Sequence, residues 1–298
     1  MMLKFLHVVI IALFPVLLQS QTKDNNSILL KWKLQPKEVI SYQTIMDMMD
    51  TPAAKIPLDS VEKIFSFPND TLNLVGTFLK KLLSETHELS RDINVTTTLS
   101  NNGKGFIDIE MVSKVKERVD TSKKEAKDTL KSTQEKKIKE MKEDVMVRGA
   151  ITENGTIQSF YVDNNQKNLI SLFFELPNKP IKIGDSWSLD IHFITLNESF
   201  KCDTSFKKNN ITLIDIKKVG SETIAVIKYD IIEFVSGDFY NRYNFGEKIK
   251  KIFIKTTFKG IGEFSVDKGR WISFDGVKST KSVGHIGGNY VQKFSLLP

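Results

Sequence analysis

Cysteine is nearly absent from this chain, and that absence excludes an internal disulfide framework. Cys202 stands alone, so stability has to come from a packed core, and with 40% apolar residues there is enough material for one. In Phe200-Lys201-Cys202-Asp203 the thiol carries no nucleophile signature and reads as a buried or inert side chain. Histidine is scarce too. Beyond His7 there are only His87, His192 and His285, far apart and with no second ligand at metal-binding spacing, so no metal site is expected. There is no Gly-x-Ser-x-Gly elbow and no phosphate-binding loop. Gly284-His285-Ile286-Gly287-Gly288 lacks a strand-to-helix setting and reads as a loop before the last strand. No catalytic residue and no cofactor site emerges from these patterns.

Long apolar runs are also lacking after the start. Lys4 is followed by an apolar stretch from Phe5 to Leu18 and then by Gln19-Ser20-Gln21-Thr22-Lys23, the order of a secretory signal peptide. The stretch holds His7 and Pro15 and falls short of the roughly 20 residues that cross a bilayer. Residues 1–20 are therefore expected to be cleaved near Ser20, leaving a secreted or periplasmic chain with no transmembrane segment. With no cysteine at that exit, a lipoprotein anchor is not expected. The net charge of +7 is spread among interleaved acids and bases, without the basic stripe or module of a nucleic-acid binder.

What the sequence does have is period-two alternation. Leu30, Trp32 and Leu34 alternate with lysines, and past Gln35-Pro36-Lys37-Glu38 the residues Ile40, Tyr42, Thr44, Met46 and Met48 share a face, which predicts a hairpin. Ile93, Val95, Thr97 and Leu99 lead through Asn101-Asn102-Gly103-Lys104-Gly105 into Ile107, Ile109, Met111, Val115 and Val119, whose partners Asp108, Glu110 and Lys114 are expected to face water. Acids two apart on a strand, such as Asp108 and Glu110, read as a wet face, as does Asp230 beside Lys228 and Tyr229. Glu153-Asn154-Gly155 between strand-like runs predicts a second tight hairpin. Further strands are expected over 211–216, 223–235, 249–266, 270–274 and 290–297.

Three stretches break the rhythm. Residues 70–84 carry Leu72, Val75, Phe78, Leu79 and Leu82 at helical spacing after Asp70, which predicts an amphipathic helix. Residues 121–144 are crowded with Lys and Glu and predict a solvated helix or crossing. Leu169, Leu172, Phe173 and Leu176 predict a short helix ended by Pro177. The expected fold is mainly β: a strongly curved antiparallel sheet or half-barrel with two or three accessory helices. Its parts are an N-terminal half over 21–144 and a C-terminal half over 145–298. An echo between Gly149…Ser159-Phe160 and Gly262…Ser273-Phe274 leaves open whether the two halves are similar by duplication or share hairpin grammar.

Between the hairpins lies Leu176-Pro177-Asn178-Lys179-Pro180-Ile181-Lys182-Ile183-Gly184-Asp185-Ser186-Trp187. This phrase, with the flanking glycine hairpins, resembles a family of exported, β-rich Bacteroidetes proteins carrying a domain of unknown function. The resemblance runs in outline over residues 28–298 and implies an envelope protein; it brings no catalytic residues with it. Physically, Pro177 stops a helix, Pro180 favours extended backbone, Gly184-Asp185 makes a tight turn and Trp187 anchors the next strand. Asn25, Asn69, Asn94, Asn154, Asn197 and Asn210 begin Asn-x-Ser/Thr triplets, which chance accounts for in a chain of this composition.

Three functions stay open. One is a non-catalytic protein that binds a hydrophobic small molecule or an envelope polymer, with Leu72, Val75, Phe78, Leu79 and Leu82 as lid contacts. Another is a structural protein that docks a partner through a sheet edge or the charged helix. The third is an enzyme whose reaction the residues do not name.

Overall fold

The alternation becomes a single eleven-stranded antiparallel sheet, not closed into a barrel. A computed structural model describes residues 27–49, 93–115, 144–162, 167–196, 199–240, 248–283 and 289–298. The strands are β1 (Val39–Met49), β2 (Ile93–Asn101), β3 (Ile107–Val115), β4 (Asp144–Ile151), β5 (Ile157–Val162), β6 (Ser186–Trp187), β7 (Phe200–Val219), β8 (Glu222–Tyr240), β9 (Lys248–Ser265), β10 (Arg270–Val283) and β11 (Tyr290–Leu297). One helix, α1 (Lys167–Phe174), stands among the described residues. The predicted helices at 70–84 and 121–144, and residues 1–20, lie outside them.

Spatial order is β5-β4-β3-β2-β1-β11-β10-β9-β8-β7-β6. The first and last strands pair at the middle, with Thr44 opposite Leu296 and Met46 opposite Phe294. Two meanders run outward from that junction. β4 and β5, counted with the second half by sequence, lie beside β3, and one apolar cluster spans both halves. Among the described residues β5 and β6 are the two edges.

In the middle of the sheet one face of each strand is buried, as the alternation requires. Ile107, Ile109 and Met111 are buried while Asp108 and Lys114 are exposed, and Glu110 is half-buried in an ion pair with Arg148 of β4. On β8, Tyr229 points into the core between an exposed Lys228 and a half-buried Asp230. The echo between hairpins has a packing cause. Gly149 is the Cα partner of Phe160, and Gly262 of Phe274; a Cβ on Gly149 would strike the Phe160 ring, and one on Gly262 would strike the Trp271 ring and crowd that of Phe274. An aromatic ring lying over a cross-strand glycine is a known sheet device.

The bowl of the sheet is filled from inside. α1 presents Leu169, Ile170, Leu172, Phe173 and Phe174, all buried. Its last carbonyls have no partner within the helix, and two indoles supply one: Trp32 Nε1 donates to Phe174 O at 2.9 Å and Trp271 Nε1 to Phe173 O at 2.6 Å. Trp271 and Phe274 also meet Phe264 and Phe173 edge-on, the favoured geometry for ring quadrupoles.

Two expectations need correcting. Leu30, Trp32 and Leu34 are buried, but their segment does not pair with β1 as a hairpin. Ile28 bridges Ile181, Trp32 N donates to Glu153 O, and Lys33 N donates to Gly269 O. The segment crosses the end of the bowl where the β4–β5 and β9–β10 turns lie, and plugs it. Three strands, β7, β8 and β10, are also longer than predicted. β7 begins at Phe200, where residues 201–208 are exposed on both faces, so no apolar alternation marks that start. β10 continues past Phe274 through Gly276 and Lys278, which interrupt the apolar period.

Candidate functional site

Where the sheet fails to close, the two edges face each other across a cleft of about 700 Å³. β5 supplies Ile157, Phe160 and Val162; α1 supplies Ile170 and Ser171; the exit of α1 supplies Glu175, Leu176, Pro177, Asn178 and Lys179. The far wall is Trp187, Ser188 and Asp190, on and just after β6.

Local chemistry sets each wall. Gly155 closes the β4–β5 turn at φ +76°, and a Cβ there would lie 2.6 Å from Leu176 N and 2.7 Å from Phe174 O. Only glycine lets that turn pack so closely on the helix exit. Buried Leu176 and Pro177 then carry the chain from α1 toward β6. At the next corner Gly184 has φ +93°, Asp185 N donates to Lys182 O at 2.9 Å, and Lys182 N donates to Asp185 Oδ2 at 3.0 Å. Gly184 N donates to Leu213 O and Leu213 N to Asp185 O, which ties the corner to β7. Trp187 is thereby placed opposite Ile211. Of the phrase singled out in the sequence, Pro177 and Trp187 line the cleft, Gly184 and Asp185 build its corner, and Pro180 is exposed in the connection.

Two polar groups mark the cleft. Burial pushes the Glu175 carboxyl above the ordinary range for glutamate, against the hydrogen bonds from Ser171 and the Asp190 amide. Asp190 N reaches Glu175 Oε2 at 3.4 Å. Trp187 Nε1 is buried without a hydrogen-bond partner among the described residues, and a buried donor left unpaired costs about 1–3 kcal/mol. The arrangement can hold an apolar body and fix its orientation through the Glu175 carboxyl.

Sequence reasoning missed Ile157, Phe160, Ile170 and Glu175 as a group. The available signal was Glu175 itself, a carboxyl set between Phe174 and Leu176 in an otherwise apolar run. Leu72, Val75, Phe78, Leu79 and Leu82 lie outside the described residues, as do His87, His285 and the glycine-rich loop at 284–288. His192 is exposed, 3.5 Å from Asp190 and 3.8 Å from Glu233. Cys202 is exposed on β7 rather than buried, its thiol directed at Thr204 O. Asp230 forms an ion pair with Lys208 at 2.5 Å, and the hydrogen bond from that ammonium lowers its pKa. No helix among the described residues is long and apolar enough to cross a membrane. Comparison with protein-family models and with curated sequences finds no match to this chain.

Proposed function

We propose that this is an exported, non-catalytic binding protein that holds the apolar part of a ligand in the seam between β5 and β6. One observation carries the reading: the seam is an apolar-walled cleft whose lining includes the desolvated Glu175 carboxyl and the half-buried Trp187 ring. Small-molecule sites are typically apolar clefts of about 300–1,000 Å³ with a few oriented polar groups, and this cleft has that make-up. Export rests on the residues before Lys23, and Edman sequencing of protein recovered outside the cytoplasm should begin near Gln21; an intact Met1 would overturn it.

The binding test uses the tryptophans. Trp32 and Trp271 are fully buried and donate to backbone carbonyls, whereas Trp187 is half-buried at the seam. Mass spectrometry of an organic extract of natively purified protein should reveal a stoichiometric apolar compound. Adding it back to stripped protein should shift tryptophan emission in the wild type and not in Trp187→Phe. An empty extract, together with no emission change on titration of a fluorescent apolar probe, sinks the reading. A second reading has its own observation: among the described residues β5 is an edge of the sheet, carrying Tyr161 at 75% exposure, and free edges recruit strands from other chains. Under that reading Tyr161→Lys abolishes a protein–protein contact and leaves the extract unchanged.

A further inference from the structure

The seam cleft carries a charge imbalance, and its apolar walls make that imbalance matter. Three charged side chains line it: Glu175 at the exit of α1, Asp190 beyond β6, and Lys179 between them in sequence. Lys179 and Asp190 are exposed, whereas Glu175 is half-buried. A carboxylate has room for about four donors. Glu175 has the Asp190 amide at 3.4 Å and the Ser171 hydroxyl, so most of its acceptor capacity is unused.

Among the described residues no cation pairs with this carboxyl. The charged neighbour that acts on it is Asp190, which opposes its ionised form just as burial does. From β8 comes Tyr229, whose phenol is kept protonated by burial and by the Glu175 charge. His192, beyond Asp190, lies 3.5 Å from that side chain and 3.8 Å from Glu233, and is not part of the lining. The walls add a second feature of the same sign. Phe160 of β5 and Trp187 of β6 stand on opposite sides of the cleft, and aromatic rings attract cations over their faces. A pure hydrocarbon in this space would leave Glu175 further desolvated and still unpaired. An anion would meet two carboxylates.

We propose, resting on the seam as a binding site, that its ligand is an apolar amine: a hydrocarbon body against Ile157, Val162 and Ile170, with a protonated amino group that donates to Glu175. The ammonium supplies the opposite charge that the walls lack, and the body fills the cleft of about 700 Å³.

Calorimetric titration of the full chain at neutral pH tests it, with aminomethyl-, hydroxymethyl- and carboxy-adamantane as probes that share one apolar body, and with methylamine as the cation alone. Wild type should bind the amine about tenfold more tightly than the alcohol, the effect of one charge-assisted hydrogen bond. It should bind the carboxylate most weakly and methylamine not measurably. Glu175→Gln should bind amine and alcohol equally while keeping its affinity for the alcohol, which reports an intact cleft. Asp190→Asn, at the exposed carboxylate, should keep the preference. Equal affinities for amine and alcohol in the wild type, or a preference that survives in Glu175→Gln, overturns the assignment. Methylamine binding as tight as the adamantyl amine overturns the apolar body, and a preference for the carboxylate overturns the cationic class. An alcohol that binds and shifts Trp187 emission, with no gain for the amine, removes the amine and leaves the seam as a binding site. Absence of binding by all three adamantanes, with emission unchanged, counts against the seam itself.

Discussion

Ile109 and Glu110 are neighbours on β3 and face opposite sides of the sheet. Ile109 is 1% exposed, so Ile109→Asp buries an unpaired charge and should cost several kcal/mol in denaturant unfolding. Glu110→Lys loses only a half-exposed pair with Arg148 and should cost about 1 kcal/mol or less. Equal losses would show that the burial of this strand is misassigned. The alternation made that contrast legible from sequence, because a strand's side chains change face at every residue. The charge on Glu175 was not legible in the same way, since its burial depends on β5, α1 and β6 meeting. Its folded pKa is raised by burial, so the folded state binds the proton more tightly than the unfolded chain. The resulting stabilisation is complete below the unfolded value of about 4.3 and is lost as pH rises through the folded value. Glu175→Gln, neutral throughout, should therefore match the wild type in acid and gain in melting temperature relative to it toward neutrality. A difference that does not change with pH would mean that the carboxyl is not desolvated.

At the scale of elements, the segment 27–34 shows what a periodic pattern can and cannot say. It identified Leu30, Trp32 and Leu34 as inward-facing, and all three are buried. It gave no information about which backbone they would meet, and the partners are turn and connection residues, Glu153, Ile181 and Gly269, rather than β1. The short helix was legible because Pro177 and the spacing of Leu169, Leu172 and Phe173 are local signals. The capping of its carbonyls by Trp32 and Trp271 was not, because those indoles come from elements far apart in the chain. This makes the plug testable. Trp32→Phe keeps most of the ring packing but leaves Phe174 O without its donor, and should cost about 1–3 kcal/mol. Trp32→Ala adds a cavity and should cost about 3–5 kcal/mol. If Trp32→Phe unfolds at the wild-type denaturant concentration, the indole bond contributes nothing and the helix end is satisfied otherwise.

For the whole molecule, the decisive pairing is the one that local patterns could not reveal. Composition and alternation were enough for a curved antiparallel sheet, but the seam cleft draws on β5, α1, the helix exit and β6, and exists only once β1 and β11 have met at the sheet's centre. β11 is a short strand of 8 residues, yet it hydrogen-bonds to β1 on one side and β10 on the other. It also buries Phe294, Ser295 and Leu296. Deleting residues 290–298 would expose two unpaired edges in mid-sheet, remove Phe294 and Leu296 from the core that both meanders share, and sever the direct link between them. Free edges of that length favour intermolecular pairing. The truncated chain should therefore show no cooperative unfolding transition by circular dichroism and should aggregate, whereas removal of Pro298 alone, which lies beyond the strand, should change the midpoint little. A truncated protein that kept a cooperative transition near the wild-type midpoint would mean that the meanders fold as independent units, and that the core joining them is dispensable.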